Sequence, residues 1–182
     1  MDFKQLMDRL GRTGQVQAGA GLLAIIFSFF AWVSADIPAE LKALVEAQGE
    51  STTHNAWQAG AGFGAWFPCL LLFALGVVAV LGALQVIPQL PLALLGTLVG
   101  ALSTVIILLR WVTLEDHVNA AWGLYVTLLL AIGTTVVSYM GMAAEGSSLN
   151  QIGSMFQNKA VDQQGPQGPQ GPYNQGGPYN QG

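Results

Sequence analysis

The chain has 182 residues, of which 52% are hydrophobic and 9% charged. A soluble domain carries about 25% charged residues, so this chain has too little charge to cover a water-facing surface. The net charge of -4 is no nucleic-acid signature, and the single cysteine, Cys69, has no partner for an intrachain disulfide.

Residues 1–14 are short, polar and amphipathic. Phe3, Leu6, Met7 and Leu10 recur at helical spacing, with Lys4, Arg9 and Arg12 between them. The pattern fits either a helix lying on lipid headgroups or a frayed terminus. A first membrane span is expected over about 16–35, which contains no charge. Gly19, Ala20, Gly21, Ala24 and Ser28 are small residues at three- and four-residue spacing and would let a neighbouring helix come close. Trp32, near the end of that span, suits the interfacial aromatic belt. Residues 36–58 form the one sizeable loop between spans. Pro38 opens it, and a short amphipathic helix is expected from Ala39 to Gln48, with Leu41, Leu44 and Val45 on one face. Asp36, Glu40, Glu46 and Glu50 against Lys42 give this loop a net charge of -3.

From Ser51 to Leu109, 59 consecutive residues carry no formal charge. A straight helix of that length would run roughly 90 Å. A bilayer core is about 30 Å thick, so the run must fold back on itself. The turn falls at Gln85-Val86-Ile87-Pro88-Gln89-Leu90-Pro91, where a helix is expected to end near Ile87 and another to begin near Pro91. Spans over about 62–86 and 91–112 follow. Gly60 and Gly64 open the second span, and Gly96 and Gly100 form a GxxxG pair in the third, both read as helix-packing positions. A short acidic loop with Glu115, Asp116 and His117 leads to a fourth span over about 121–142. Trp57, Trp66, Trp111, Trp122 and Tyr139 lie near span ends and read, with Trp32, as interface anchors.

Four spans leave both termini on one side. Lys4, Arg9, Arg12 and Lys159 lie on that side, against Lys42 and Arg110 on the other, and this bias favours both termini in the cytoplasm. Arg110, at the rim of the third span, can reach the interface or pair with Glu115 or Asp116. The two external loops echo each other. Trp32-Val33-Ser34-Ala35-Asp36 and Trp111-Val112-Thr113-Leu114-Glu115 leave spans; His54-Asn55-Ala56-Trp57 and His117-Val118-Asn119-Ala120-Ala121-Trp122 lead into them. A duplicated hairpin and chance are equal readings. If duplicated, His54 and His117 would approach each other and, with Glu50 and Asp116, offer ligands to a divalent metal; loop histidines bonded to backbone are the simpler account.

The membrane domain so defined covers 15–143, a juxtamembrane segment 144–162, and a tail 163–182. Gly-Pro-Gln triplets and a repeated Gly-Pro-Tyr-Asn-Gln-Gly word make the tail disordered by composition, with Tyr173 and Tyr179 as candidate contacts for a partner. The fold class expected is all-α: a four-helix transmembrane bundle with this Gly/Pro/Gln/Tyr-rich tail.

No ionisable residue sits at mid-bilayer depth, which disfavours proton-coupled transport. Thr134, Thr135 and Ser138 can satisfy their hydroxyls on their own helix. No catalytic, cofactor-binding or metal-ligating set stands out, and neither a phosphate loop nor a His-Glu-x-x-His pattern is present.

A basic N-terminus, four spans, Gly64-Ala65-Trp66 opening the second, Ala121-Trp122-Gly123 opening the fourth, and the tail composition together resemble a known group. These are the uncharacterised actinobacterial four-span membrane proteins that include the mycobacterial thirty-four-kilodalton antigenic protein. The resemblance implies a plasma membrane and a link to cell-envelope growth or division machinery, and supplies no catalytic residues. The function expected is a non-enzymatic tetraspan scaffold whose partners are the bilayer, further copies of the chain, and envelope or division proteins. The alternatives are a small oligomeric channel or transporter subunit, and a lipid- or envelope-stress-sensing accessory protein.

Overall fold

The computed structural model describes residues 2–58, 61–88 and 90–144. Gly60, the 145–162 segment and the tail with Tyr173 and Tyr179 lie outside the described residues. Within them, the chain is mostly helical. The elements in order are α1 (Phe3–Ser28), β1 (Ala31–Ala35), α2 (Ala39–Ala47), β2 (Thr53–Asn55), α3 (Phe63–Ala83), α4 (Leu92–Val112), β3 (Val118–Ala120) and α5 (Trp122–Ala144). Three helices, α3, α4 and α5, are each long and apolar enough to cross a membrane. Their bounds fall within three residues of the spans expected from sequence.

The four long helices pack in a ring, α1 on α3, α3 on α4, α4 on α5 and α5 back on α1. Small residues set the spacing. A Cβ on Gly21 would lie 2.5 Å from the carbonyl oxygen of Leu72, and one on Gly76 would lie 2.9 Å from that of Gln17. The backbones of α1 and α3 therefore touch, as small residues permit. Gly100 plays the same part between α4 and α5, where a Cβ would meet Thr135 and the Ala131 carbonyl. Ala20, Gly21, Ala24 and Ser28 are buried as the spacing anticipates, but Gly19 is exposed with open space around it. At 100° per residue, Gly19 points away from the stripe formed by the other four. The stripe also contains Gln17.

Two departures from the expected fold stand out. First, the helix expected over 16–35 ends at Ser28. Residues 31–35 form the middle strand of a three-stranded antiparallel sheet in the order β2-β1-β3, so the fold is not purely helical. Val33 faces His54 on one side and Ala120 on the other; Ser34 faces Thr53 and Asn119. No Gly or Pro stops the helix here. Pairing on both edges and burial of Trp32 and Val33 outweigh the continuing apolar run. Second, α3 ends at Ala83 rather than near Ile87. Gln85 takes a left-handed conformation (φ 60°), its amide donates to the Gly82 carbonyl, and the Val86 amide donates to Leu81. This is a Schellman cap, which closes the helix before Pro88 is reached.

At the other end of α3, Pro68 lies inside the helix and leaves the Gly64 carbonyl without its usual amide donor. Further along the same ring, α4 ends at Val112, and Trp111 meets Tyr125 of α5 edge to face. The short helix α2 forms as expected, with no buried residue along it; Leu41 and Leu44 are exposed.

Candidate functional site

Gln17 is the most polar side chain in the interior, at 1% exposure. It stands on the small-residue face of α1. Its Nε2 donates to the Leu92 carbonyl at 2.8 Å and to Ser138 Oγ at 3.1 Å. One side chain thus ties α1 to the first turn of α4 and to α5. Gly96 makes the room: a Cβ there would collide with both Gln17 Nε2 and Ser138 Oγ. Leu92 is the first residue of α4, whose carbonyl would in any case point along its own helix, so the second bond strengthens the turn. Among the described residues, Gln17 Oε1 has no hydrogen-bond partner, nor do the buried hydroxyls of Ser103 and Thr134. Thr135 does donate to its own helix, at Ala131, as expected. Ser138 instead accepts from Gln17, a convergence the sequence reading did not foresee.

Beneath this contact the molecule opens into a cavity of about 520 Å³. One wall is α1 around Gly11, the other the end of α3 and the turn into α4. At Gly11 the helix breaks, with φ 59° and ψ 177°. The break starts a second helical segment at Arg12, and Gln15 Nε2 spans it to the Met7 carbonyl at 2.8 Å. Arg9 and Arg12 both line the cavity, and among the described residues no Asp or Glu does. Leu10, Val78 and Ile87 supply apolar lining. Of the apolar residues in the N-terminal segment, Leu10 is buried and Phe3 exposed.

The sheet closes the opposite end. Trp32 is fully buried, with Nε1 donating to the Phe27 carbonyl at 3.3 Å and its ring set against Gly123, where a Cβ would lie 2.5 Å away. It is a core residue, not the interface anchor expected. Trp57 donates to Ser28 Oγ at 2.8 Å, joining the end of α1 to the approach to α3. Trp66 is half-buried, and Trp111, Trp122 and Tyr139 are exposed. Arg110 Nε donates to the Ala61 carbonyl at 2.8 Å, and its stem lies on Gly64, where a Cβ would sit 2.9 Å from Arg110 Cβ. Gly64 of α3 therefore lies directly against Arg110 of α4.

A smaller cavity of about 210 Å³ at this end brings together His54, Arg110 and Glu115. His54 and His117 belong to segments on opposite edges of β1, and His117 gives its carbonyl to the Asp36 amide. Among the described residues no three His, Cys, Asp or Glu side chains gather as metal ligands. The echo between the loops is half structural. Both His-containing words form strands that pair with β1, but the Trp32 word is a strand and the Trp111 word ends a helix. Comparison of the chain with family models, curated proteins and solved structures finds no match.

Proposed function

We propose that the chain crosses the membrane four times and serves as a non-enzymatic membrane-organising protein of the cell envelope, with both termini in the cytoplasm. The observation that carries the crossing is the course of α1. Its last residue, Ser28, takes the Ala56 amide and the Trp57 indole just before α3 begins, while residues 9–14 share a cavity with the end of α3. So α1 runs antiparallel along the whole of α3. If α3 crosses, α1 crosses with it, and Arg12 to Ser28 covers roughly 25 Å of helix. The charge pattern supports the orientation. Six acids and two bases, Lys42 and Arg110, belong to the sheet end, while Lys4, Arg9 and Arg12 belong to the turn end.

The organising role is supported by α2. It stands out from the sheet end with Leu41 and Leu44 exposed beside Glu40 and Glu46. A helix face of that kind fits a partner surface. Proximity labelling in living cells, comparing the intact chain with one carrying Leu41→Ser and Leu44→Ser, tests it. A set of envelope proteins lost in the variant supports the role; the same neighbours in both would contradict it. The resemblance to actinobacterial four-span proteins points the same way.

A second reading, a lipid-sensing accessory protein, is favoured by the arginine-lined cavity at the turn end. The channel reading has a direct test in liposome flux with purified protein, where this account expects none.

A further inference from the structure

Resting on the lipid-sensing reading, we infer that the cavity between the Gly11 break and the turn after α3 binds the phosphate of an anionic phospholipid. Arg9 and Arg12 both line one cavity, and among the described residues no Asp or Glu lines it, so its lining carries net positive charge. Arginine forks match phosphate oxygens two at a time and stay charged at any working pH. Thr13 and Gln85 add a hydroxyl and an amide to the same lining. The sheet-end cavity lacks this character, because Glu115 lines it together with Arg110.

The ligand is a lipid rather than a free phosphate because of the other walls. Leu10 and Val78 line the cavity alongside the arginines. A phosphate ion gains nothing from apolar wall, whereas the glycerol and first methylenes of a phospholipid do. The volume of about 520 Å³ exceeds what an inorganic ion fills and lies within the range of small-ligand sites. The position agrees, since this end of α3 and α4 is where a membrane helix meets headgroups. Gln17 fixes the floor, because the Leu92 carbonyl it holds belongs to a residue that also lines the cavity.

The test uses the full chain purified in a neutral detergent. Its thermal unfolding is followed with phosphatidylglycerol, phosphatidylcholine or inorganic phosphate added. Phosphatidylglycerol should raise the midpoint, and the other two should not. Arg9→Gln with Arg12→Gln should weaken that protection roughly tenfold or more, since charge-assisted bonds to phosphate are lost. Lys4→Gln with Lys42→Gln removes equal charge outside the cavity lining and should leave it intact. Gly82→Leu is the second probe. Gly82 lines the cavity and has open space where a Cβ would go, so the new side chain fills the site without a clash. It too should abolish protection.

Equal protection by inorganic phosphate would overturn the lipid assignment. Unchanged protection in both the arginine pair and Gly82→Leu would overturn the site, as would equal loss in the lysine pair. Alkali washing of membranes separates this from the broader reading. Retention there with no lipid effect removes the cavity proposal alone, whereas release into solution removes the membrane reading as well.

Discussion

Gly21 and Gly76 decide how closely α1 and α3 approach. Because a Cβ at Gly21 would meet backbone rather than a movable side chain, substitution there cannot be absorbed locally. Gly21→Leu should cost about 3 kcal/mol or more, in line with severe overpacking of a tight core. Gly19→Leu, two residues away in open space, should change stability by less than about 0.5 kcal/mol. Detergent unfolding of the two variants side by side measures the difference; equal losses would mean that α1 does not present this face to α3. Gln85 offers the opposite kind of change. It holds the left-handed cap position that glycine usually takes, at a cost of about 1 kcal/mol. Gln85→Gly should therefore stabilise the chain by about 0.5 kcal/mol once the added freedom of the unfolded chain is counted. A lower midpoint in that variant would show the cap is not formed. Gln17 escaped the sequence reading because a lone amide at the start of a span looks like a headgroup contact. The signal that finds it is its place on the same helical stripe as Ala20, Gly21, Ala24 and Ser28.

At the scale of elements, α3, α4 and α5 were legible because length and apolarity alone define a helix that must satisfy its backbone in lipid. The strand β1 was not. Ala31-Trp32-Val33-Ser34-Ala35 continues an apolar run with no punctuation, and its two partners lie far along the chain. Only tertiary pairing distinguishes it from one more helical turn. The apolar stretch over 16–35 was legible as such, but its helix ends at Ser28, before the strand β1. Trp32 makes the consequence measurable. It fills the space between β1, α5 and the end of α1, so Trp32→Ala should cost about 3–5 kcal/mol through the cavity it leaves. Trp122→Ala, at a side chain 79% exposed, should cost less than about 1 kcal/mol in unfolding of the detergent-solubilised chain. The opposite ranking would return Trp32 to the lipid interface.

The described residues form a ring of four helices with a sheet at one end and an arginine-lined cavity at the other. The two ends differ in charge, and under the proposed four-crossing arrangement that difference would set the direction in the membrane. The organising role and the lipid site both depend on α1 crossing rather than lying along the surface. Single-cysteine labelling in intact cells tests this most directly. In a Cys69→Ala background, cysteines are placed one at a time at Lys4, before α1 has crossed, and at Lys42 on α2, and exposed to a membrane-impermeant thiol reagent. The account predicts that the position 42 cysteine is labelled in intact cells and the position 4 cysteine only after permeabilisation. Labelling of both positions, or of neither, in intact cells would place the two ends of α1 on one side and contradict it.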